Sequence, residues 1–249
     1  MTGFHFNNQA VKRLIKQIAD FFSLKSYFVT GTDTGIGKTL FTAGLARMMK
    51  NSGINVGIMK PFATGIPQKT SYKSEDVAIL VEASGTTDDE NLVNPYFFPI
   101  PASPYLAANK LKTTIDVSLV LERFEKLQSI HDVMLVEGIG GIMTPILKDY
   151  CIADLIKDMN LETLVVTGSR IGTVNHTVLT CDACKKYGIK TKGIIINDHN
   201  NDGYDMVDLK HDLTNLTGLD VLCTIPDIDD CNVQKISTVL QENELLSVL

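Results

Sequence analysis

The stretch GTDTGIGKT, residues 31–39, follows the apolar run SYFVT at 26–30 and leads into a helical pattern that begins at Lys38. A strand, a glycine-bearing loop and a helix in this order predict a loop whose backbone N–H groups bind phosphate. The amino terminus of the helix adds roughly half a positive charge. We therefore expect Lys38 to hold the phosphates of a nucleoside triphosphate and Thr39 to bind Mg²⁺.

The loop departs from the usual phosphate-binding pattern in its spacing. Five residues, where four are usual, separate Gly31 from Gly37, and Thr32 stands where a glycine is common. A glycine-rich turn alone can be merely structural, but Gly-Lys-Thr between a strand and a helix is specific for nucleotide binding. The loop thus predicts nucleotide binding and leaves the reaction open.

Short β-branched runs alternate with helical patterns along the rest of the chain. The strand-like runs are SYFVT at 26–30, NVGIMK at 55–60, DVMLVE at 132–137, ETLVVT at 162–167, KGIIIN at 192–197 and DVLCTI at 220–225. The helix-length segments are 38–50, 75–82, 117–127, 176–187 and 204–216. This alternation predicts a single-domain α/β fold, a doubly wound and mostly parallel sheet flanked by helices, with the active site at the carboxyl ends of the strands.

Length and composition limit the classes of function. A chain of 249 residues suits one large α/β domain, and its formal charge of −6 argues against a nucleic-acid-binding face. No apolar run approaches the roughly 20 residues of a membrane helix. Five cysteines, an odd number, with no secretory leader predict a cytoplasmic protein without disulfides. We expect small-molecule partners, no nucleic acid and no membrane.

Residues 1–25 predict an amphipathic helical extension ahead of the domain at 26–249. Their apolar side chains recur at helical spacing, at Val11, Leu14, Ile15, Ile18, Phe21 and Phe22. Packing of this helix on the domain or on a second subunit is the favoured interpretation. A peripheral membrane anchor is the alternative.

Charged side chains follow the predicted strands. Lys60 closes the second run before Pro61, and Glu137 ends the third run before Gly138. Phosphoryl transfer needs carboxylates that hold a metal and cations that stabilise developing charge, so both residues are candidates. Asp76 begins a predicted helix, where it binds a metal or only stabilises the helix amino terminus.

Three later features leave alternatives open. Asn197 and Asp198 follow the fifth run, where an amide suits an adenine edge or a turn. His176, in the run Asn175-His176-Thr177 before a predicted helix, is more typical of a surface residue than of a ligand. Cys181 and Cys184 have the spacing of a metal or redox pair, but the chain offers no second pair.

Taken together, these segments resemble dethiobiotin synthetase, an ATP-dependent P-loop family of biotin biosynthesis. The motifs stand in the family's order over about residues 26–230: GTDTGIGKT at 31–39, KPFATG at 60–65, SEDVAIL at 74–80, VNPYFFPIPASPYLAA at 93–108, VEGIGGIMTPI at 136–146, GTVNHTVLTCDA at 172–183 and GIIIND at 193–198. The five-residue spacing of the loop is the family's own form. The chain departs from the family at His199-Asn200, where many relatives have proline, and in residues 1–25.

The resemblance implies an ATP- and Mg²⁺-dependent cyclo-ligase. In the family, 7,8-diaminopelargonate takes up CO₂ as a carbamate, and ATP phosphorylates the carbamate oxygen. The second amine then displaces phosphate and closes the cyclic urea of dethiobiotin. Carried onto this chain, Lys60 and Lys38 are the catalytic residues, and Thr39, Asp76 and Glu137 hold Mg²⁺.

The resemblance also implies the binding residues and the assembly. Thr64, Gly141 and Asn175 are expected to bind the diamine or its carbamate. The nucleotide is expected to contact, besides the residues already named, Thr34, Gly35, Ile36, Gly37, Leu40, Gly138, Ile139, Gly140, Asn197, Asp198, Ile225, Pro226 and Asp227. In the family the substrate lies at a dimer interface, and Asn175 would reach the carboxylate of the diamine bound mainly by the other subunit. A homodimer is therefore expected.

Two other classes carry a related loop. An amidoligase of the cobyrinic acid diamide synthase group also phosphorylates an acyl oxygen, but such chains usually carry a glutaminase domain, for which 249 residues leave no room. A nucleotide-switched ATPase of the ParA or MinD type has an additional lysine early in the loop, where this chain has Asp33. Phosphate release that requires the diamine and bicarbonate would distinguish the synthetase from the switch.

Overall fold

A computed structural model describes residues 25–68, 72–198 and 203–249. The strands of these residues are β1 (Tyr27–Gly31), β2 (Val56–Met59), β3 (Phe62–Thr64), β4 (Tyr96–Phe98), β5 (Val133–Glu137), β6 (Pro145–Leu147), β7 (Tyr150–Cys151), β8 (Glu162–Thr167), β9 (Thr191–Asn197) and β10 (Val221–Ile225). The helices are α1 (Lys38–Asn51), α2 (Glu75–Ser84), α3 (Glu90–Val93), α4 (Pro104–Leu111), α5 (Val117–Gln128), α6 (Ile152–Met159), α7 (Thr173–Tyr187), α8 (Met206–Thr217), α9 (Val233–Glu242) and α10 (Leu245–Val248). Except for Lys25, the predicted extension at 1–25 lies outside the described residues.

Six strands form one parallel sheet in the order β10-β9-β8-β1-β5-β2. From β1 the chain passes to β2 at one end of the sheet, returns to β5 beside β1, and then continues through β8, β9 and β10 on the other side. The doubly wound sheet predicted from the sequence is confirmed, and each of the six predicted runs lies in it. We call the edge where Gly31, Met59 and Glu137 end their strands the carboxyl edge. The opposite edge, where Tyr27, Val56 and Val133 begin them, is the amino edge.

Helices cover both faces of the sheet. Tyr27 and Val29 of β1 point into a core shared with α1, α2 and α9, whereas Phe28 points into a core shared with α5 and α6. All three side chains are fully buried. Burial on both faces explains why the predicted strands are continuous apolar runs and not alternating ones. Among the described residues, no helix combines the length and apolarity needed to cross a bilayer.

Helix α7 begins earlier than the sequence predicts. It starts at Thr173 and not at residue 176, so Asn175, His176 and Thr177 lie in its first turns instead of preceding it. The cap residue Gly172 has a φ of 96°, a conformation that favours glycine and turns the chain directly into the helix. The short strands β3, β4, β6 and β7 and the helices α3, α4, α6, α9 and α10 were not predicted.

Helix α9 holds the helix of the phosphate loop in place. It packs on α1 at Gly44, where an added Cβ atom would lie 2.3 Å from Cγ2 of Ile236. Ile236 and Leu240 of α9 are buried in the core that also contains Phe41 and Leu45 of α1. A glycine in mid-helix is unfavourable by itself, so its value here is the close helix contact that it allows.

Candidate active site

The phosphate loop joins β1 to α1 at the carboxyl edge. Gly35 and Gly37 have φ values of 73° and 91°, which only glycine adopts readily, and they let the loop turn into the helix. The side chain of Lys38 folds back over the loop, and its Nζ donates to the carbonyl oxygen of Asp33 at 2.8 Å. Burial lowers the pKa of Lys38 to about 8, against the opposing effect of Glu137.

A buried lysine lies between two carboxylates next to this loop. Nζ of Lys60 is 2.9 Å from Oδ2 of Asp76 and also forms an ion pair with Oε1 of Glu137. Lys60 is 3% exposed and Glu137 is fully buried. Burial disfavours the charge on Lys60, but the two carboxylates outweigh it and raise the pKa of Lys60. Burial likewise opposes ionisation of Asp76, yet Lys60 and Thr39 hold its pKa below the usual value.

The sheet accounts for this meeting of residues distant in sequence. Strands β1, β5 and β2 are neighbours, so the phosphate loop, Glu137 and Lys60 emerge side by side. The backbone of Lys60 is fixed on both sides: its N–H donates to Val93 O at 2.8 Å, and Nδ2 of Asn94 donates to its carbonyl oxygen at 2.6 Å. Asn94 was missed from the sequence because an asparagine in a loop predicts only a turn.

The residues predicted to hold Mg²⁺ offer a suitable set of oxygens. The Thr39 hydroxyl donates to Oε1 of Glu137 at 2.8 Å, and Oε2 of Glu137 is buried without a hydrogen-bond partner among the described residues. Two carboxylates and a hydroxyl, completed by phosphate oxygens, are the donors that Mg²⁺ takes in nucleotide sites. The described residues contain no group of three or more His, Cys, Asp or Glu placed to hold a metal.

The glycine loop after β5 lies against the phosphate loop. Gly138 donates its N–H to Val29 O at 2.9 Å, and an added Cβ there would lie 2.8 Å from Phe28 Cε1. At Gly141 an added Cβ would lie 3.4 Å from the carbonyl oxygen of Gly31. Ile139 is partly buried between Gly138 and Gly140, and Gly140 has a φ of 61°. The three glycines of this loop let it approach the phosphate loop closely.

The predicted adenine residues share the β9–β10 corner of the carboxyl edge. Asn197 is buried, and its Nδ2 donates to the carbonyl oxygen of Ile36 at 2.9 Å, which links this corner to the phosphate loop. Asp198 donates its N–H to Ile225 O at 2.8 Å and accepts a hydrogen bond from Ser169. Pro226 and Asp227, which follow directly, are exposed.

The remaining predicted residues are Thr34, Gly35, Leu40, Thr64 and Asn175. Thr34 and Gly35 are exposed at the tip of the loop, and Leu40 is partly buried in α1. Thr64 ends β3 and is partly exposed, while Asn175 is exposed on α7. A cavity of about 350 Å³ between α7 and the two loops is lined by residues that include Thr32, Gly141 and His176. No hydrogen bond within the described ranges joins Asn175 to the other predicted site residues.

Three features of the carboxyl edge were not predicted. Arg170, in the loop after β8, forms an exposed ion pair with Asp33 at 3.3 Å. Ser169 contacts Asp198, and the hydroxyl of Thr167 contacts three other threonines. The contacts of Thr167 could not be predicted, because threonine in a strand indicates only β-propensity.

Cys181 and Cys184 lie on α7 as predicted, and both are buried. Burial raises the pKa of the Cys181 thiol to about 12, so this thiol is protonated near neutral pH. Reactive and metal-binding cysteines are thiolates. The structure thus gives these two residues a packing role.

Comparison with known proteins identifies the family. A protein-family profile described as an AAA domain matches residues 25–235. The chain is 53% identical over 227 residues to the ATP-dependent dethiobiotin synthetase of Nitrosopumilus maritimus, covering 91% of this chain and 100% of that one. It is 34% identical over 227 residues to the enzyme of Bacillus licheniformis, covering 91% and 96% of the two chains. The chain belongs to the dethiobiotin synthetase family.

Membership in the dethiobiotin synthetase family makes this chain an ATP-dependent ligase of biotin biosynthesis, as the sequence motifs predicted. The solved structure of the cell division ATPase MinD from Pyrococcus furiosus is similar with a TM-score of 0.54, covering 90% of this chain and 98% of that one. Its identity is only 16%, so this similarity shows the P-loop fold alone. MinD is therefore similar to this chain in fold alone, whereas the two relatives at 53% and 34% identity are synthetases.

Proposed function

We propose that this chain closes the ring of dethiobiotin with the residues of the Lys60 cluster. One amine of 7,8-diaminopelargonate takes up CO₂ as a carbamate. A carbamate oxygen then attacks the γ-phosphorus of ATP and ADP leaves. The second amine attacks the carbonyl carbon of the resulting anhydride, loses its proton, and phosphate leaves with the C–O bond electrons.

The observation that carries this proposal is the buried ion cluster of Lys60, Asp76 and Glu137 beside the phosphate loop. A carbamate is an anion that must approach a polyanion, so their repulsion dominates the barrier unless cations lie at both ends of the transfer. Lys38 lies at the phosphate end and Lys60 at the carbamate end. Because Lys60 is buried, water screens its charge only weakly.

Thr39, Asp76 and Glu137 would hold Mg²⁺ together with phosphate oxygens. Oε2 of Glu137, buried and without a partner in the described part of the chain, supports this assignment, since an acceptor left without a donor is costly unless a ligand uses it. When bound, the ion supplies positive charge that offsets charge on the phosphate oxygens. We expect Glu137→Gln to raise the Mg²⁺ concentration needed for nucleotide binding by about tenfold or more. Glu162→Gln, which changes only a pair with Lys25 at the amino edge, is the matched control.

The substrate end of the proposed site includes Thr64, Gly141 and Asn175, with Asn175 acting on the diamine bound by a second copy of this chain. Large apolar side chains around Asn175 support a homodimer, because Ile171 is 80% exposed, Leu179 59% and Met143 53%. Exposed apolar residues grouped in one place mark contact surfaces. The nucleotide base would lie at the corner formed by Asn197, Asp198 and residues 225–227. The free thiols of the described residues support a reducing compartment, the cytoplasm.

A direct test of the reaction uses the full chain with the diamine, isotope-labelled bicarbonate, Mg²⁺ and ATP. We expect mass spectrometry to find the cyclic urea with the labelled carbon, and phosphate release that requires both the diamine and bicarbonate. Phosphate release that is independent of the diamine and stimulated by DNA or vesicles would instead indicate a nucleotide-driven switch.

The shared site has its own test, in which two inactive variants are mixed. Asn175→Ala and Lys60→Met damage different chains of one composite site, so a mixed dimer has one site with both defects and one intact site. When equal amounts of the two variants are unfolded and refolded together, random pairing should leave about a quarter of all sites intact, and so about a quarter of wild-type activity. No recovery in dimers that contain both variants would show that Asn175 acts within its own subunit.

A further inference from the structure

Four threonines meet behind the phosphate loop, and we call them the threonine cluster: Thr32, Thr167, Thr173 and Thr177. The Oγ1 atom of Thr167 lies 2.7 Å from that of Thr173, 2.8 Å from that of Thr177 and 3.3 Å from that of Thr32. Thr167 and Thr177 are fully buried, and Thr173 is 3% exposed. Thr167 is thus the centre of the cluster, at the carboxyl end of β8.

The protons of the cluster are fewer than its contacts. Thr173 Oγ1 also donates to Gly168 O at 2.8 Å, and Thr177 Oγ1 donates to Thr173 O at 2.7 Å. Each hydroxyl has one proton and a carbonyl only accepts, so four protons serve five contacts. One contact therefore always lacks a proton, and its place depends on which hydroxyl donates to which. Thr32 either donates to Thr167, which leaves the Thr167 proton for Thr173 or Thr177, or accepts that proton, which leaves none for α7.

The cluster joins the phosphate loop to the start of α7 in the same chain. Thr32 belongs to the phosphate loop, immediately before Asp33, whose carbonyl oxygen binds Lys38. Thr173 and Thr177 flank Asn175 in the first turns of α7. Thr32 and three residues of α7 also line the cavity of about 350 Å³ described above. The phosphate loop is therefore adjacent to the helix end that carries Asn175, and a change in the loop on nucleotide binding would reach that helix end.

We propose that Thr167 is a positioning residue that couples nucleotide binding at the phosphate loop to diamine binding at the start of α7. The inference rests on the proposed function of Asn175 as a diamine-binding residue. Thr167 touches neither substrate; it acts through Thr32 on one side and through Thr173 and Thr177 on the other. In a low-dielectric interior such hydroxyl contacts are stronger than in water, and each depends on its neighbours.

The test measures the coupling itself. Calorimetry gives the Kd of 7,8-diaminopelargonate for the full chain with Mg²⁺, with and without a non-hydrolysable ATP analogue. We expect the analogue to tighten diamine binding about fivefold, the size of one net hydrogen bond, and Thr167→Val to abolish most of that factor. Thr167→Ser, which keeps the hydroxyl, should retain it.

Thr163→Val is the matched control. Thr163 lies at the other end of β8, is fully buried, and its hydroxyl has no partner among the described residues. The same substitution there should leave the coupling factor unchanged. Coupling that survives in Thr167→Val, is absent from the wild type, or is lost equally in Thr167→Ser would overturn the proposal.

A second measurement keeps the test decisive if Thr167→Val does not fold or the diamine does not bind. Hydrogen exchange of the amides at 173–177 should slow when the analogue binds alone, and Thr32→Val, at the partly exposed end of the cluster, should remove that slowing. Failure of the wild type to bind the diamine would count against the proposed function. Unchanged exchange at 173–177 in the wild type would count against the coupling.

Discussion

The two edges of the central sheet hold their charged groups differently. At the carboxyl edge Lys60 and Glu137 are buried, and one Glu137 oxygen has no partner among the described residues. At the amino edge the ring of His131 lies between Asn55 and Asp88, with Nδ1 2.8 Å from the Asn55 amide oxygen and Nε2 2.7 Å from the Asp88 carboxylate. Both ring nitrogens there have a hydrogen-bond partner. The Glu137 oxygen is thus open to a ligand, whereas the His131 ring already has partners for both nitrogens and stabilises the fold.

The largest expected effect is on turnover, from a substitution at the carboxyl edge. Lys60→Met should lower turnover about a hundred- to a thousand-fold, because the charge that stabilises the transferring group is lost, while binding of an ATP analogue persists. Steady-state turnover and calorimetry check the two parts. Lys25→Met, at the amino edge in an exposed pair with Glu162, is the control and should stay within about twofold of wild type. Near-normal turnover in Lys60→Met would remove the basis for the proposed mechanism.

A second prediction concerns pH. The pKa of Lys38 is lowered to about 8, so its charge is present below that pH and is lost above it. A bound triphosphate favours the charged form, so analogue binding should take up protons near pH 8, and affinity should fall by up to about tenfold per pH unit above it. Calorimetry in buffers of different ionisation enthalpy measures both quantities. In Lys38→Arg the affinity should no longer fall above pH 8, because guanidinium stays charged. A wild-type affinity that does not fall above pH 8 would contradict the role of Lys38 in binding the triphosphate.

At the amino edge the expected effect is on stability alone. His131→Ala leaves Asp88 and Asn55 without their shared partner, so the free energy of unfolding should fall by about 1–3 kcal/mol. Turnover at saturating substrate should stay unchanged, as measured beside urea unfolding. A loss of turnover with unchanged stability would show that the amino edge also contributes to function.

The smallest expected effect compares the two ends of one strand. Thr163→Val removes a buried hydroxyl that has no partner in the described residues, so it should stabilise the fold by up to about 1 kcal/mol. Thr167→Val should destabilise it, since that hydroxyl has three contacts. Thermal and urea unfolding of both variants decide the matter. A Thr167→Val variant as stable as the wild type would mean that the cluster contributes nothing to stability.

The sequence predicted the central sheet because its strands are long and buried on both faces. The run 162–167 coincides with β8, and the run 132–137 differs from β5 by one residue. The pairs β3–β4 and β6–β7 were missed because strands of two or three residues show no periodicity. Helix α7 was predicted to start too late, since Asn175 and His176 suggested a boundary that Gly172 in fact provides.

In the candidate site, too, some features were predictable from the sequence and others were not. Lys60, Asp76 and Glu137 were predictable because each is a charge at the end of a strand or the start of a helix, and such positions converge at one edge of a doubly wound sheet. Their pairing was not, because it depends on side-chain distances of about 3 Å. The threonine cluster joins residues 135 positions apart and was equally out of reach.

The contact of α9 with Gly44 has a consequence for the time at which the chain acquires its site. Residues 233–242 cover the helix of the phosphate loop, and the hydroxyl of Tyr27 in β1 donates to the carbonyl oxygen of Leu249, 222 residues later. At ribosomal rates of about 5–20 residues per second, that separation corresponds to about 10–45 seconds of synthesis. During that interval the nucleotide-binding motif has left the ribosome without the packing that holds it. The first motif made thus acquires its packing only after residues 233–249 have been synthesised.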